Sequence, residues 1–416
     1  MARAPRFVRR HLVPRLREAL ADSPAVLIHG PRQSGKTTLA RAVGEPRGYR
    51  YVSFDDEAIA GAARNDPAGF VSALPPKAIL DEVQRVPEIF TALKVAIDEH
   101  RTPGRFILTG SAHVLFVPRL ADSLAGRMAI LELHPLARCE IEGTRPRFLD
   151  ALFGRGFRTG IAERLGGELA ERIAAGGYPA ALARRTSARR RAWYRDYVES
   201  QVQRDVRDLA RIRSFEALPK LLALAASQTA RLVNVAELSA PFELTRQTIH
   251  EYLTLLERVF LLQRLPSWHV NQLSRLVKRP KLHLGDTGIA CALLGLDAAT
   301  LARDRESLGQ LLETFVLQEL RRQASWREEP IEFFHFRDRD DFEVDIVLEQ
   351  GHQAVAGVEV KAAATVGEAD FRGLRKLRAA AGRRFACGVV LYDGSATSKF
   401  GEGLFAVPIR ALWEAS

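Results

Sequence analysis

Short apolar runs punctuate the first third of the chain: AVLIHG at 25–30, YRYVSFDD at 49–56, KAILDE at 77–82, RFILTGS at 105–111 and MAILELHPL at 128–136. Stretches of helical pattern lie between them, among them an amphipathic segment over 1–20 and another near 88–100. Brief buried strands alternating with helices predict a parallel sheet covered on both faces. Residues 141–228, rich in Ala, Leu and Arg, read as mostly helical. Over 229–266 the pattern gives a short helix at Val235–Ser239, a turn, a second helix capped by Thr245, and a strand in VFLLQRL. Residues 267–310 are mixed. The last block reads as a helix at 308–324 and strands at 331–336, 343–349, 355–361 and 386–392. The expected division is 1–140, 141–228, 229–285 and 286–416, with no internal repeat.

Composition narrows the class. A chain of 416 residues predicts two to four domains at roughly 100–200 residues each. Apolar residues make up 47% and charged residues 27%, which excludes a disordered chain, a collagen and a disulfide miniprotein. No apolar run approaches the roughly 18–20 residues of a membrane helix. Arg and Glu interrupt the basic N-terminus before any apolar stretch of signal length, so the expectation is a soluble cytoplasmic protein. Cys139, Cys291 and Cys387 lie far apart and suggest neither a disulfide framework nor a zinc site.

The net charge is +11, and the excess is clustered. Residues 1–20 hold six Arg and one Glu, 184–213 hold ten Arg and four acids, and 372–384 hold six bases and no acid. Clustered Arg points to a polyanion, DNA before RNA. The competing reading is an Arg-preferring genome and solvated helix faces.

Gly30-Pro31-Arg32-Gln33-Ser34-Gly35-Lys36-Thr37 matches G-x-x-x-x-G-K-[ST] in full, between a strand and a helix, with Thr38 following. Successive backbone N–H groups in such a loop cradle the phosphates of ATP. Lys36 would neutralise the β and γ phosphates, and the Thr37 hydroxyl would ligate Mg²⁺. Asp81 and Glu82 end the run Ala78-Ile79-Leu80. Asp81 would hold the metal and Glu82 would polarise the attacking water. Thr109 and Ser111, at the end of RFILTGS, are candidates to read the γ-phosphate or that water. Arg127 is a candidate for stabilising transition-state charge, in its own subunit or a neighbour, with Arg119 behind it. A surface ion pair competes for both.

These pieces together carry a resemblance. GPRQSGKTTL (30–39), ILDEVQRVPEIF (79–90), LTGSA (108–112) and SLAGRMAILELHPL (123–136) with Glu140 resemble the bacterial and archaeal AAA-type ATPases that end in a domain of unknown function, DUF4143. The resemblance covers essentially the whole chain. It implies an α/β fold: a P-loop core of the extended AAA+ type, a helical region with a winged helix-turn-helix, and a C-terminal restriction-endonuclease-like domain. It also implies sites shared between subunits, hence a homo-oligomer.

Within 229–266, Ile249, Tyr252, Leu253 and Leu256 form one apolar stripe. Arg246, Gln247 and His250 fall on the other side, where a recognition helix presents base-reading side chains. A packing or oligomer role competes equally with DNA contact. Further on, period two puts Glu343 and Asp345 on one strand face, and Glu359 and Lys361 on another. Asp345, thirteen residues and then Glu359-Val360-Lys361 resemble the PD-(D/E)xK nuclease core. Asp345 and Glu359 would hold a divalent metal, and Lys361 would position its water. The nuclease likeness adds Glu313 on the preceding helix, and Arg337 is a candidate phosphate contact. The competing reading is an ordinary edge strand in a fold kept for binding alone.

The expected function is Mg²⁺-dependent ATP hydrolysis coupled to nucleic-acid binding or processing. The alternative is a nucleotide-gated binding switch or a toxin–antitoxin or defence component with an inactive nuclease-like domain and a protein partner.

Overall fold

The computed structural model describes residues 8–110, 124, 126–203, 216–242, 244–271, 273, 275 and 278–414. They divide into two compact units: Arg9–Leu136 with Ser325–Glu328, and Ala137–Ala324 with Glu329–Ser416 and Val8.

The first unit is built on five parallel strands: β1 (Ala25–His29), β2 (Arg50–Ser53), β3 (Ala78–Asp81), β4 (Phe106–Gly110) and β5 (Met128–Glu132). Their order is β2-β3-β4-β1-β5. Every residue of β1, β3 and β4 is buried, as continuous apolar runs in a two-sided sheet require. Alternation sorts their side chains into two cores. Ala25, Leu27, Leu80, Phe106 and Leu108 face one way, under α3 (Glu57–Asn65), α4 (Pro67–Ser72) and α5 (Ile89–Glu99). Val26, Ile28, Ile79 and Ile107 face the other, under α1 (Val13–Asp22) and α2 (Lys36–Gly44). The first helix begins at Val13, because Pro14 lacks an N–H and fits only the first turn. Asp56 and Asp66 cap α3 and α4 by accepting from backbone N–H groups.

Among the described residues the second unit holds two sheets. Its helices are α6 (Arg138–Glu142), α7 (Phe148–Phe153), α8 (Gly167–Ala175), α9 (Pro179–Leu182), α10 (Ser187–Gln201), α11 (Ala217–Ser227), α12 (Val235–Ser239), α13 (Arg246–Arg258), α14 (Thr287–Leu294), α15 (Ala298–Arg303), α16 (Arg305–Ala324) and α17 (Arg372–Ala381). The strands β7 (Arg231–Leu232), β8 (Leu262–Leu265) and β9 (Lys281–Leu284) form an antiparallel sheet in the order β7-β9-β8.

The larger sheet runs β10 (Ile331–Arg337), β11 (Glu343–Gln350), β12 (Ala354–Lys361), β13 (Phe385–Tyr392), β15 (Leu404–Pro408), β14 (Ala396–Lys399) and β6 (Gly160–Ile161). Thus a strand from the stretch read as helical joins this sheet; two residues are too short to show a period. Helix α17 lays Leu374 and Leu377 onto it. Close approach depends on Gly373, where a Cβ would come within 1.9 Å of Glu343 O, and on Gly357, where it would meet Leu374 and Leu377 at 2.7 Å.

Helix α16 is buried almost all round, polar residues included. Thr314 Oγ1 bonds Thr229 Oγ1 at 2.8 Å, Gln318 Nε2 donates to Leu284 O at 2.9 Å, and Gln323 Nε2 donates to Leu412 O at 2.5 Å. Its Arg322 joins Glu319 and Asp286 at 2.8 Å each. Each of these buried side chains therefore has at least one partner that offsets its desolvation.

Candidate functional site

The phosphate loop leaves the C-terminal end of β1, where the strand order switches sides: β2, β3 and β4 lie on one side of β1 and β5 on the other. Such a switch point opens a crevice beyond the strand ends. Gly30 has φ +145°, and a Cβ there would stand 2.2 Å from Leu133 O. Gly35 has φ +100° and leads directly into α2, whose N-terminus has no side-chain cap. Those first N–H groups are the anion-binding feature the motif requires. The Ser34 hydroxyl is buried with no hydrogen-bond partner among the described residues. Lys36 is buried, and its ammonium donates to Gly30 O at 3.0 Å and Pro31 O at 2.8 Å, so it lies over the loop. Pro31 is buried and Arg32 half-buried, while Gln33 and Thr38 are exposed.

Three hydroxyls converge on Asp81. Thr37 Oγ1 donates to Oδ1 at 2.8 Å, Tyr51 OH donates to Oδ2 at 2.8 Å, and Thr109 Oγ1 donates to Oδ1. Thr109 also accepts from the Glu82 N–H at 3.2 Å. The fully buried Thr109 thus ties Asp81 and Glu82 together. Glu82 adopts φ +58°, uncommon for a residue with a Cβ, and its Oε2 accepts from Gln84 Nε2.

Sequence reasoning missed two members of this group. Tyr51 stands on β2 beside β3. Arg10 is buried under the loop, donating to Ser34 O at 2.8 Å and His134 O at 2.6 Å. It had counted as part of a basic face; nothing local separates it from its Arg neighbours.

Arg127 is not brought to this group. It precedes Met128, which pairs with Ala25 at the start of β1, so it sits at the opposite edge of the sheet from the loop. Four strand steps separate those edges, about 13 Å. There it pairs with both oxygens of Asp98, at 2.7 and 2.9 Å, which raises the Arg127 pKa and lowers that of Asp98. That is the surface ion pair, and a role in its own chain's loop is excluded by distance. Ser111 and Arg119 lie outside the described residues.

In the second unit, Thr245 caps α13 by accepting from Thr248 N, and Ile249, Tyr252, Leu253 and Leu256 are buried together. Arg246, Gln247 and His250 are exposed near its N-terminus. The basic cluster at 372–384 is largely engaged within the protein: Arg375 pairs with Glu368, Lys376 with Asp340, and Arg384 with Glu349. Arg337 is half-exposed and pairs with Asp341.

The carboxylates of β11, β12 and α16 do come together, around a residue that sequence reasoning missed. Lys281, on β9, is 3% exposed. Its Nζ lies 2.8 Å from Glu343 Oε1, 2.9 Å from Glu313 Oε1 and 3.1 Å from Asp345 Oδ1. Burial works against the ammonium, but the three acids outweigh it and hold its pKa well above the usual lysine range. Burial pushes the Glu313 carboxyl well up, with Asp345 adding to the shift. Asp345 Oδ2 accepts from Val360 N at 2.9 Å. Glu359 pairs with Lys361 at 2.8 Å, and burial, then the Asp345 charge, raise its pKa to about 8. The metal role expected for Glu313, Asp345 and Glu359 does not match this arrangement. Among the described residues no group of three or more His, Cys, Asp or Glu is placed to hold a metal ion. Nor is any described helix long and apolar enough to cross a membrane.

The parallel sheet, the loop and the acid pair define an AAA-type P-loop ATPase fold. An AAA domain model matches residues 22–142, the domain of unknown function DUF4143 matches 308–412, and the domain of unknown function DUF8612 matches 166–300. Two uncharacterized proteins, Rv2008c of Mycobacterium tuberculosis and Mb2031c of Mycobacterium bovis, are each 30% identical over 359 residues, 86% of this chain and 74% of theirs. The chain belongs to the family of AAA-type P-loop ATPases with a C-terminal DUF4143 domain. Among solved structures, a Walker-type ATPase of Pyrococcus abyssi is 15% identical, with a TM-score of 0.46, over 70% of this chain and 97% of that one. The RuvB Holliday junction branch migration motor of Thermotoga maritima is 21% identical, with a TM-score of 0.31, over 61% and 89%. Both likenesses are too loose to carry residue roles across.

Proposed function

We propose that the chain binds Mg²⁺-ATP at Gly30–Thr37 and hydrolyses it. The observation that carries this reading is the 2.8 Å hydrogen bond from Thr37 to Asp81, which joins the phosphate loop to the strand-end acid. The residues fit the ligand: an uncapped helix N-terminus, a buried ammonium over the loop, and a buried Ser34 hydroxyl without a partner. Bound Mg²⁺ would supply charge neutralisation at the β and γ phosphates. Thr37 and Asp81 would hold it, exchanging their mutual hydrogen bond for the cation. Lys36 would turn its donors from Gly30 O and Pro31 O to phosphate oxygens. Glu82 would orient and polarise a water, held in place through its N–H by Thr109.

The coupled partner we propose is nucleic acid. The order β7-α12-α13-β8-β9, with its three-stranded antiparallel sheet, supports a winged-helix reading of 229–285. Exposed Arg246, Gln247 and His250 at the α13 N-terminus are its base-reading candidates. Strands β10–β12 between α16 and α17, followed by β13, support a restriction-endonuclease-like reading of the C-terminal sheet.

Phosphate release, with and without DNA or RNA, tests both parts. Turnover stimulated by nucleic acid and lost in Lys36→Ala and Glu82→Gln is the expected result. Light scattering with and without ATP tests the oligomer; a monomer in both states counts against it. One observation favours the slow switch as a second reading: Gln84 engages the Glu82 carboxylate. Under that reading Gln84→Ala raises basal turnover.

A further inference from the structure

We propose that the C-terminal module carries its own cation, the Lys281 ammonium, where a metal-dependent nuclease would place a divalent ion, and that it therefore does not cleave phosphodiesters. The acids expected to ligate metal do not fit that role as arranged. An ammonium has three donors and no acceptor. Here three carboxylate oxygens, one each from Glu313, Glu343 and Asp345, stand 2.8–3.1 Å from Nζ and use all three. A divalent ion sits about 2.0–2.6 Å from carboxylate oxygens, so it would need the space Nζ fills. The second oxygen of Asp345 is taken by Val360 N–H, and Glu359 is paired with Lys361.

Nothing on β11, β12 or α16 supplies this ammonium. It comes from β9, in the three-stranded sheet next to α13. Lys281 is 3% exposed, and every residue of β9 is buried. His283, two residues on and on the same strand face, brings its Nε2 to 3.9 Å from Glu313. The strand is thus built to seat a cation at the acids.

The test is Mn²⁺ titration of the full, nucleotide-free chain, followed by electron paramagnetic resonance, in a Thr37→Ala background that removes the loop's metal hydroxyl. Wild-type Lys281 is expected to give no stoichiometric Mn²⁺ binding. Lys281→Met is expected to gain one Mn²⁺ per chain, lost again when Asp345→Asn is added. One Mn²⁺ bound with Lys281 intact and removed by Asp345→Asn overturns the proposal. So does a folded Lys281→Met chain that gains no Mn²⁺. Should Lys281→Met fail to fold, the titration with Lys281 intact still decides. Strand breaks in supercoiled DNA or in RNA, with Mg²⁺ or Mn²⁺, that vanish in Asp345→Asn would also overturn it. None of these readouts depends on ATP turnover, so the ATPase reading stands or falls separately.

Discussion

Two aspartates, the buried Asp81 in one unit and the partly buried Asp345 in the other, show how neighbours decide what a carboxylate can do. Asp81 is surrounded by hydroxyls from Thr37, Tyr51 and Thr109. Neutral donors stabilise its charge but do not cancel it, so it can still draw a cation. Asp345 is bonded to a backbone N–H and to the Lys281 ammonium. Its charge already has an answer inside the protein. The same side chain at a strand thus reads as a metal ligand in one setting and as half of an ion pair in the other.

The sharpest break in this comparison is kinetic. Asp81→Asn should lower ATP turnover by on the order of a hundredfold, the scale of losing a few kcal/mol of charge stabilisation. Asp345→Asn should leave turnover unchanged within about twofold. A drop in both, measured by phosphate release, would erase the distinction.

Next comes stability. Lys281→Met leaves three partly buried acids without their buried ammonium, and removing one member of a buried ion pair costs about 3–5 kcal/mol at most. Denaturant unfolding should show that loss in Lys281→Met and a smaller one in Asp345→Asn, which leaves the ammonium two acids. Equal stability of all three chains would mean the cluster is slack.

A pH effect follows in size. Burial, then the Lys281 charge, lowers the His335 pKa to about 4, below its unfolded value near 6.5. The unfolded chain therefore binds more protons between those values. Stability is whole above about pH 6.5, declines as pH falls toward 4, and levels below, by up to about 3 kcal/mol. Melting curves of His335→Gln should decline less steeply over that window; an identical slope would place His335 in water. Smallest is Tyr51→Phe, which removes one of three donors to Asp81 and should cost about 1 kcal/mol by denaturant unfolding.

The nucleotide loop was legible because its chemistry is contiguous: eight residues, a strand before and a helix after. Asp81 and Glu82 were legible for the same reason, as two acids closing an apolar run. Their supports were not. Arg10 reaches the loop from 24 residues upstream, and Tyr51 reaches Asp81 across 30. Pattern alone cannot tell either from an ordinary helix arginine or strand tyrosine. Lys281 sits in KLHL, a short strand whose one charge reads as an exposed edge. Its meaning depends on partners 32 and 64 residues away. Strands β10 to β13 were found to within a residue or two by alternation. The short polar β14 and the β15 strand behind a glycine turn gave no such rhythm.

Helix α16 imposes a reading frame on the second unit. Its buried Thr314, Gln318, Glu319, Arg322 and Gln323 each point at a fixed partner on a different element. One residue inserted near its start would turn everything beyond by about 100°. Each of those polar groups would then face apolar packing. Point substitutions on this helix are graded injuries, whereas a single-codon insertion or deletion is a change of phase that no local adjustment can absorb.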